Sequence, residues 1–157
     1  MSNELIISAT QDGCRIALLR DKQLVEFHED SGGGKFVVGD IYLGTVKKVV
    51  QGLNAAFIDI GYEKDAFLHY LDLGPKFSSL QKFTKLVRTK KITGGKLDKF
   101  QLEKEIDKHG KIAQQLSRNL LLPVQVVKEP ISTKGPRLSC ELSIAGRYLV
   151  LVPFSSG

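Results

Sequence analysis

The 157-residue sequence predicts a mainly β protein built on a small five-stranded barrel with a helical insert, and three observations carry that reading. Runs rich in Val, Ile, Phe and Tyr, punctuated by glycine, recur from residue 38 onward in a three-then-two order. Between the third run and the fourth, over residues 74 to 118, the apolar period changes from two to three or four. Ahead of both lie three more β-rich runs that form a unit of their own. At 42% apolar and 25% charged residues the composition is globular, which excludes a disordered or collagen-like chain.

The first runs are ELIISAT, CRIALLR and QLVEFHED, separated by Gln11-Asp12-Gly13 and Arg20-Asp21-Lys22. Asp-Gly between apolar runs is a strong hairpin signal, so these read as a three-stranded meander. Ser31-Gly32-Gly33-Gly34 is too flexible for the interior of an element and reads as a linker, placing a boundary near residue 35.

The next stretch, VVGDIYLGTVKKVVQGLNAAFIDIGYEKDAFLHYLDLG, reads as three strands with turns, and Gly44 within the first marks a bulge or a sharp bend. Such a bend lets one strand serve both sides of a small barrel. In the following segment, Leu80, Phe83 and Val87, Leu102 and Ile106, and Ile112 and Leu116 fall at helical spacing, with Lys and Arg on the other faces. Two or three short amphipathic helices are expected, broken at Gly94-Gly95 and Gly110, their apolar stripes serving as packing surface. LLLPVQVVKEP and PRLSCELSIAGRYLVLVPF supply the last two barrel strands and a closing strand.

Charge is concentrated in the insert. Residues 74 to 118 carry 12 of the 23 Lys and Arg but 4 of the 17 Asp and Glu, so the whole net charge of +6 resides there. A polyanion footprint and a solvated basic helix both account for it. No run approaches the roughly 20 apolar residues of a membrane helix. The first 30 residues lack the order of a signal peptide, so a cytoplasmic location without membrane association is expected. Cys14 and Cys140 stand far apart without a CxxC pair, and two buried, inert thiols are expected.

Alternation along a strand sends neighbouring side chains to opposite faces. In AAFIDIG it puts Ala56, Ile58 and Ile60 on one face and Phe57 and Asp59 on the other. In KDAFLHYL it puts Ala66, Leu68 and Tyr70 opposite Asp65, Phe67 and His69. Two phenylalanines thus fall on faces otherwise carrying Asp and His. Exposed, they make a stacking platform for bases, each contact worth about 1–3 kcal/mol; covered by the insert, they make a second small core. His69 shares this face and can stack on or hydrogen-bond to a nucleotide, or serve a structural role. Lys128 ends the fourth barrel strand, and Lys134 and Arg137 flank the fifth, placed to meet phosphate or to sit on a solvated hairpin tip. No paired-carboxylate motif, GxSxG, Walker loop or metal-spaced His/Asp set occurs. Asp59 with Asp65 is the sole acidic pair on one face, and it is expected to be solvated. The residues describe a binding module rather than a catalyst.

The order GxVxxV, AFxDxG, AFLH in this chain resembles the S-one RNA-binding domain, a five-stranded OB barrel. ELIISAT with RIALL, AAFIDIG with AFL, and TKGPRLSCELSIAGRYLVLVP together resemble the amino-terminal end of bacterial ribonuclease E/G endoribonucleases. The resemblance covers nearly the whole chain apart from the insert, which is longer than expected for much of that family. It implies that residues 1–34 are the meander of an incomplete ribonuclease-H-like subdomain. Residues 35–143 would be the OB-fold RNA-binding domain with the basic insert, and 144–157 a strand leading into further domains. Phe57 and Phe67 match the family's RNA-contacting aromatics, and Lys128 and Lys134 its neighbouring lysines. The implied function is clamping of single-stranded RNA for an endoribonuclease of RNA processing and decay. The implied hydrolase needs magnesium held by a nuclease domain outside this sequence, so this chain alone carries no cofactor and is expected not to cut RNA. The resemblance admits a homo-oligomer for the longer protein. The competing class is an OB module whose basic insert docks a protein partner over Phe57 and Phe67.

Overall fold

The computed structural model describes residues 2–10, 13–30, 36–92 and 100–155. The chain divides into two compact units, Met1–Lys35 and Phe36–Gly157. The first unit is an antiparallel meander of β1 (Asn3–Thr10), β2 (Gly13–Arg20) and β3 (Gln23–Asp30), as the three β-rich runs predict. Leu5, Ile7, Ile16 and Leu18 share one face, while Ile6, Ala17 and Phe27 share the other, so both faces are apolar. β1 is exposed along its length, and none of the main core cluster belongs to this unit. Cys14 is therefore half-buried rather than buried, because among the described residues of the unit its sheet has no second layer. The glycine linker at 32–34 lies outside the described residues.

The second unit is a closed barrel of β4 (Ile41–Val50), β5 (Ala55–Asp59), β6 (Ala66–His69), β7 (Leu121–Lys128) and β8 (Arg137–Ser139), in the spatial order β4-β5-β6-β8-β7. This is the OB arrangement, three strands then two, with the insert between them. β4 pairs with β7 through Ile41–Thr45 and with β5 through Thr45–Val50, so one strand does serve both sides. Gly44 sits at the crossover for a different reason from a bulge. A β-carbon there would stand 2.5 Å from Ile58 Cγ2, so the bend needs a residue with no side chain inside the barrel. The bulge lies just beyond it, between Val46 and Lys48, and leaves both Lys47 and Lys48 exposed.

Val46, Ala56, Ile58, Ala66, Leu68, Leu122, Val124, Val126 and Leu138 fill the barrel, each 1% exposed or less. The insert joins this core through α1 (Phe77–Arg88), which buries Phe77 and Leu80, and α2 (Ile112–Gln115), which buries Ile112. Asn54 fixes its return: the side-chain amide donates to Gly110 O at 3.1 Å and its oxygen accepts from Ile112 N–H at 2.7 Å. The helix expected around Leu102 and Ile106 does not form. That segment instead runs along α1, and its groups are engaged there: Glu103 N–H donates to Ser79 Oγ, Ile106 N–H to Pro75 O, and Lys76 pairs with Glu105 at 2.8 Å. Gly94-Gly95 lie outside the described residues.

After the barrel, where one strand is expected, β9 (Ile144–Ala145) and β10 (Val150–Leu151) pair as a hairpin, with Gly146 N–H turning back onto Leu149 O. Phe154 then packs with Phe83 and Phe100, ring centroids 5.5–5.8 Å apart. Among the described residues no helix is long and apolar enough to cross a membrane.

Candidate nucleic-acid interface

The strand faces divide as alternation requires. Ala56, Ile58, Ala66 and Leu68 are fully buried, while Phe57, Asp59, Asp65, Phe67 and His69 on the outer face are half-buried. Phe57 lies opposite Phe67 in the ladder, and their rings meet edge to face with centroids 5.9 Å apart. Both residues keep partial exposure beside that contact, and both line the same cleft.

The ladders extend this pair into a row across the whole barrel. Lys48 on β4 lies opposite Phe57, Phe67 is the parallel partner of Arg137 on β8, and Arg137 lies opposite Lys128 on β7. Each of the five strands contributes one residue, giving Lys48-Phe57-Phe67-Arg137-Lys128. Two bulges set this register. The shift between Val46 and Lys48 brings Lys48 to Phe57, and a second between Val126 and Lys128 brings Lys128 to Arg137. Alternation alone leaves Lys48 unnoticed, since the bulge is not written in the residue types.

Beside the row is a cleft of about 710 Å³ lined by Phe57, Phe67, Lys128, Lys134 and Arg137 with residues of the adjoining turns. Five of the six residues singled out from the sequence therefore meet in one place. His69 does not line it; its Nδ1 accepts the Leu71 N–H at 3.1 Å and caps the short 3-10 turn Tyr70–Leu73. None of the cleft lining comes from the described residues of the insert, so they do not cover the rings.

The charges around the cleft are not equivalent. Arg137 donates twice to Asp72, at 3.1 and 3.2 Å, which fixes its guanidinium and offsets its charge. Among the described residues Lys48, Lys128 and Lys134 enter no ion pair, and all three are exposed. Asp59 and Asp65 are bridged by Lys47, whose Nζ stands 2.9 Å from Asp65 and 3.4 Å from Asp59. The Asp65 and Asp59 hydrogen bonds raise the Lys47 pKa, while the Gly61 N–H, helped by Lys47, holds Asp59 below the usual carboxylate value. An ammonium thus takes the place a divalent cation would need, and the pair does not fit magnesium. Among the described residues no group of three or more His, Cys, Asp or Glu could hold a metal ion. Cys140 is buried as expected, and that burial raises its pKa, which disfavours the reactive thiolate.

A row of two aromatic faces flanked by free lysines suits a polyanion bearing planar groups. Comparison with known proteins bears on which one. The chain is 33% identical over 156 residues to ribonuclease G of Salmonella typhimurium (strain SL1344) and to ribonuclease G of Escherichia coli (strain K12), matching 99% of its own length. It is 39% identical over 125 residues, 79% of its length, to ribonuclease E of Synechocystis sp. (strain ATCC 27184 / PCC 6803 / Kazusa). The chain belongs to the ribonuclease E/G family. It spans 28% of the length of those two ribonuclease G proteins and 14% of the ribonuclease E. No protein-family model matches it.

Proposed function

We propose that this chain binds single-stranded RNA across the outer face of its barrel, as the substrate-holding part of a ribonuclease E/G-type endoribonuclease of RNA processing and decay. The observation that supports the reading is the five-residue row with Lys134 lining the cleft beside it: bases stack on Phe57 and Phe67 while phosphates meet Lys48, Lys128 and Lys134. Stacking accepts any base and lysine reads only charge, so little sequence preference is expected. In this reading hydrolysis, and the magnesium it needs, belong to parts of the family's length that this chain does not span.

The test is fluorescence anisotropy of the chain with a labelled oligouridylate at a series of salt concentrations. Binding whose logarithm falls linearly with the logarithm of salt, at about −0.7 per phosphate contacted, is the expected result. Absence of binding, or binding indifferent to salt, would remove the proposal.

A further inference from the structure

The side of the cleft that sequence alternation does not reach is built by the turn Ile131–Lys134. The turn closes on itself, with Ile131 N–H donating to Lys134 O at 3.2 Å and Lys134 N–H to Ile131 O at 3.0 Å, and Ser132 at φ 51°. An exposed hairpin tip of this kind is ordinarily free to swing. Here it is tied twice to the connection that leads into β6. Lys64 Nζ donates to the Ser132 carbonyl at 3.0 Å, and Gly135 lies so close to Asp65 that a β-carbon would collide with the Asp65 carbonyl oxygen. Both ties come from residues just ahead of Phe67.

The turn carries Ile131, which lines the cleft with the two rings yet is 69% exposed. An apolar side chain left in water beside aromatic faces gains only when something flat and apolar enters. Lys64 also lines the cleft, but its ammonium already donates to the Ser132 carbonyl and stands 3.6 Å from the Glu63 carboxylate, whereas Lys128 and Lys134 enter no ion pair among the described residues. It is placed as a tie rather than as a free cation.

Resting on the RNA reading above, we propose that Lys64 is a positioning residue: it holds Ile131 over the Phe57–Phe67 platform, so that an unpaired base entering the cleft is covered on both faces.

Oligouridylate titrations of the whole chain at several salt concentrations test this, with Lys128→Ala as the reference for a lost phosphate contact. Lys64→Met is expected to weaken binding roughly 5- to 10-fold, the scale of one stacking contact, with the salt slope unchanged. Lys64→Arg should restore affinity, because guanidinium can reach the same carbonyl. Gly135→Ala should weaken binding similarly with every charge in place. A slope that falls by about 0.7 in Lys64→Met, as for a phosphate contact, overturns the proposal. So does unchanged affinity. Amide hydrogen exchange of Ile131 and Lys134 without RNA reads the tie directly, and rates equal in wild type and Lys64→Met also overturn it. Failure of wild type to bind RNA at all would remove the functional reading and this inference together, whereas wild-type binding with an indifferent Lys64→Met removes only the inference.

Discussion

The meander and the barrel are both made from short strands rich in apolar residues, three to ten residues long, yet only the barrel has an inside. From Ala56 through β5 and along β6, alternate residues are buried completely and the others face out. In β1, apolar residues point to both faces and Leu5, Ile6 and Ile7 are all more than half exposed. Closure makes the difference: a barrel assigns each strand one wet face, and a residue on that face that is aromatic rather than polar becomes informative. On the meander, an exposed apolar residue says nothing of the kind.

The comparison is broken most directly in the two interiors. Leu68→Ala, within the barrel, should lower stability by about 2–5 kcal/mol in urea unfolding. Leu5→Ala should change it by no more than roughly 0.5 kcal/mol. Equal losses would mean that the meander has a core of its own. The outer row should behave like neither. Phe57→Ala is expected to lose about 1–3 kcal/mol of RNA affinity. Its folding stability should fall by about 0.5–1.5 kcal/mol, the range of an edge-to-face pair, and a loss on the Leu68 scale would make the ring part of the core.

Smaller effects sharpen the picture at the ends of the row. Lys48→Ala and Lys128→Ala should each reduce the salt slope of RNA binding by about 0.7 without shifting the unfolding midpoint. An unchanged slope in Lys48→Ala would confine the interface to the cleft side. The smallest expectation concerns acid. Since folding lowers the pKa of Asp59, its contribution to stability is present above the ordinary carboxylate value and lost as pH falls through the folded one. Asp59→Asn should flatten that small acid-limb decline, and a stability profile identical to wild type in this range would contradict it.

The parts legible in the sequence were those fixed by period. Alternation placed Ala56 to Asp59 in β5 and Ala66 to His69 in β6 on the correct faces, and the change of period marked α1. What escaped depends on contacts between distant residues. The bulges that align Lys48 with Phe57 and Lys128 with Arg137 follow from how two strands fit, and residue types do not announce them. Leu102 and Ile106 have helical spacing, but Ser79 of α1 and the Pro75 carbonyl just before it take backbone N–H groups of their segment, and that competition decided the outcome. Lys64 and Ile131 sit in turns brought together only by the barrel, so neither carried a signal. His69 had the right face, yet the adjacent backbone claimed its ring.

β6 and β8 are joined by a single residue pair, Phe67 with Arg137, and by the hydrogen bond from Phe67 N–H to Pro136 O at 2.8 Å, whereas β4 and β5 share five pairs. The row crosses the barrel at its narrowest seam. A strand of RNA laid along that row would therefore hold both lips of the seam at once, acting as a sixth, removable element of the barrel wall. Since a ligand that binds only the closed form stabilises it by mass action, occupancy of the row would slow the opening of the barrel at this joint, and an empty barrel would be the looser one.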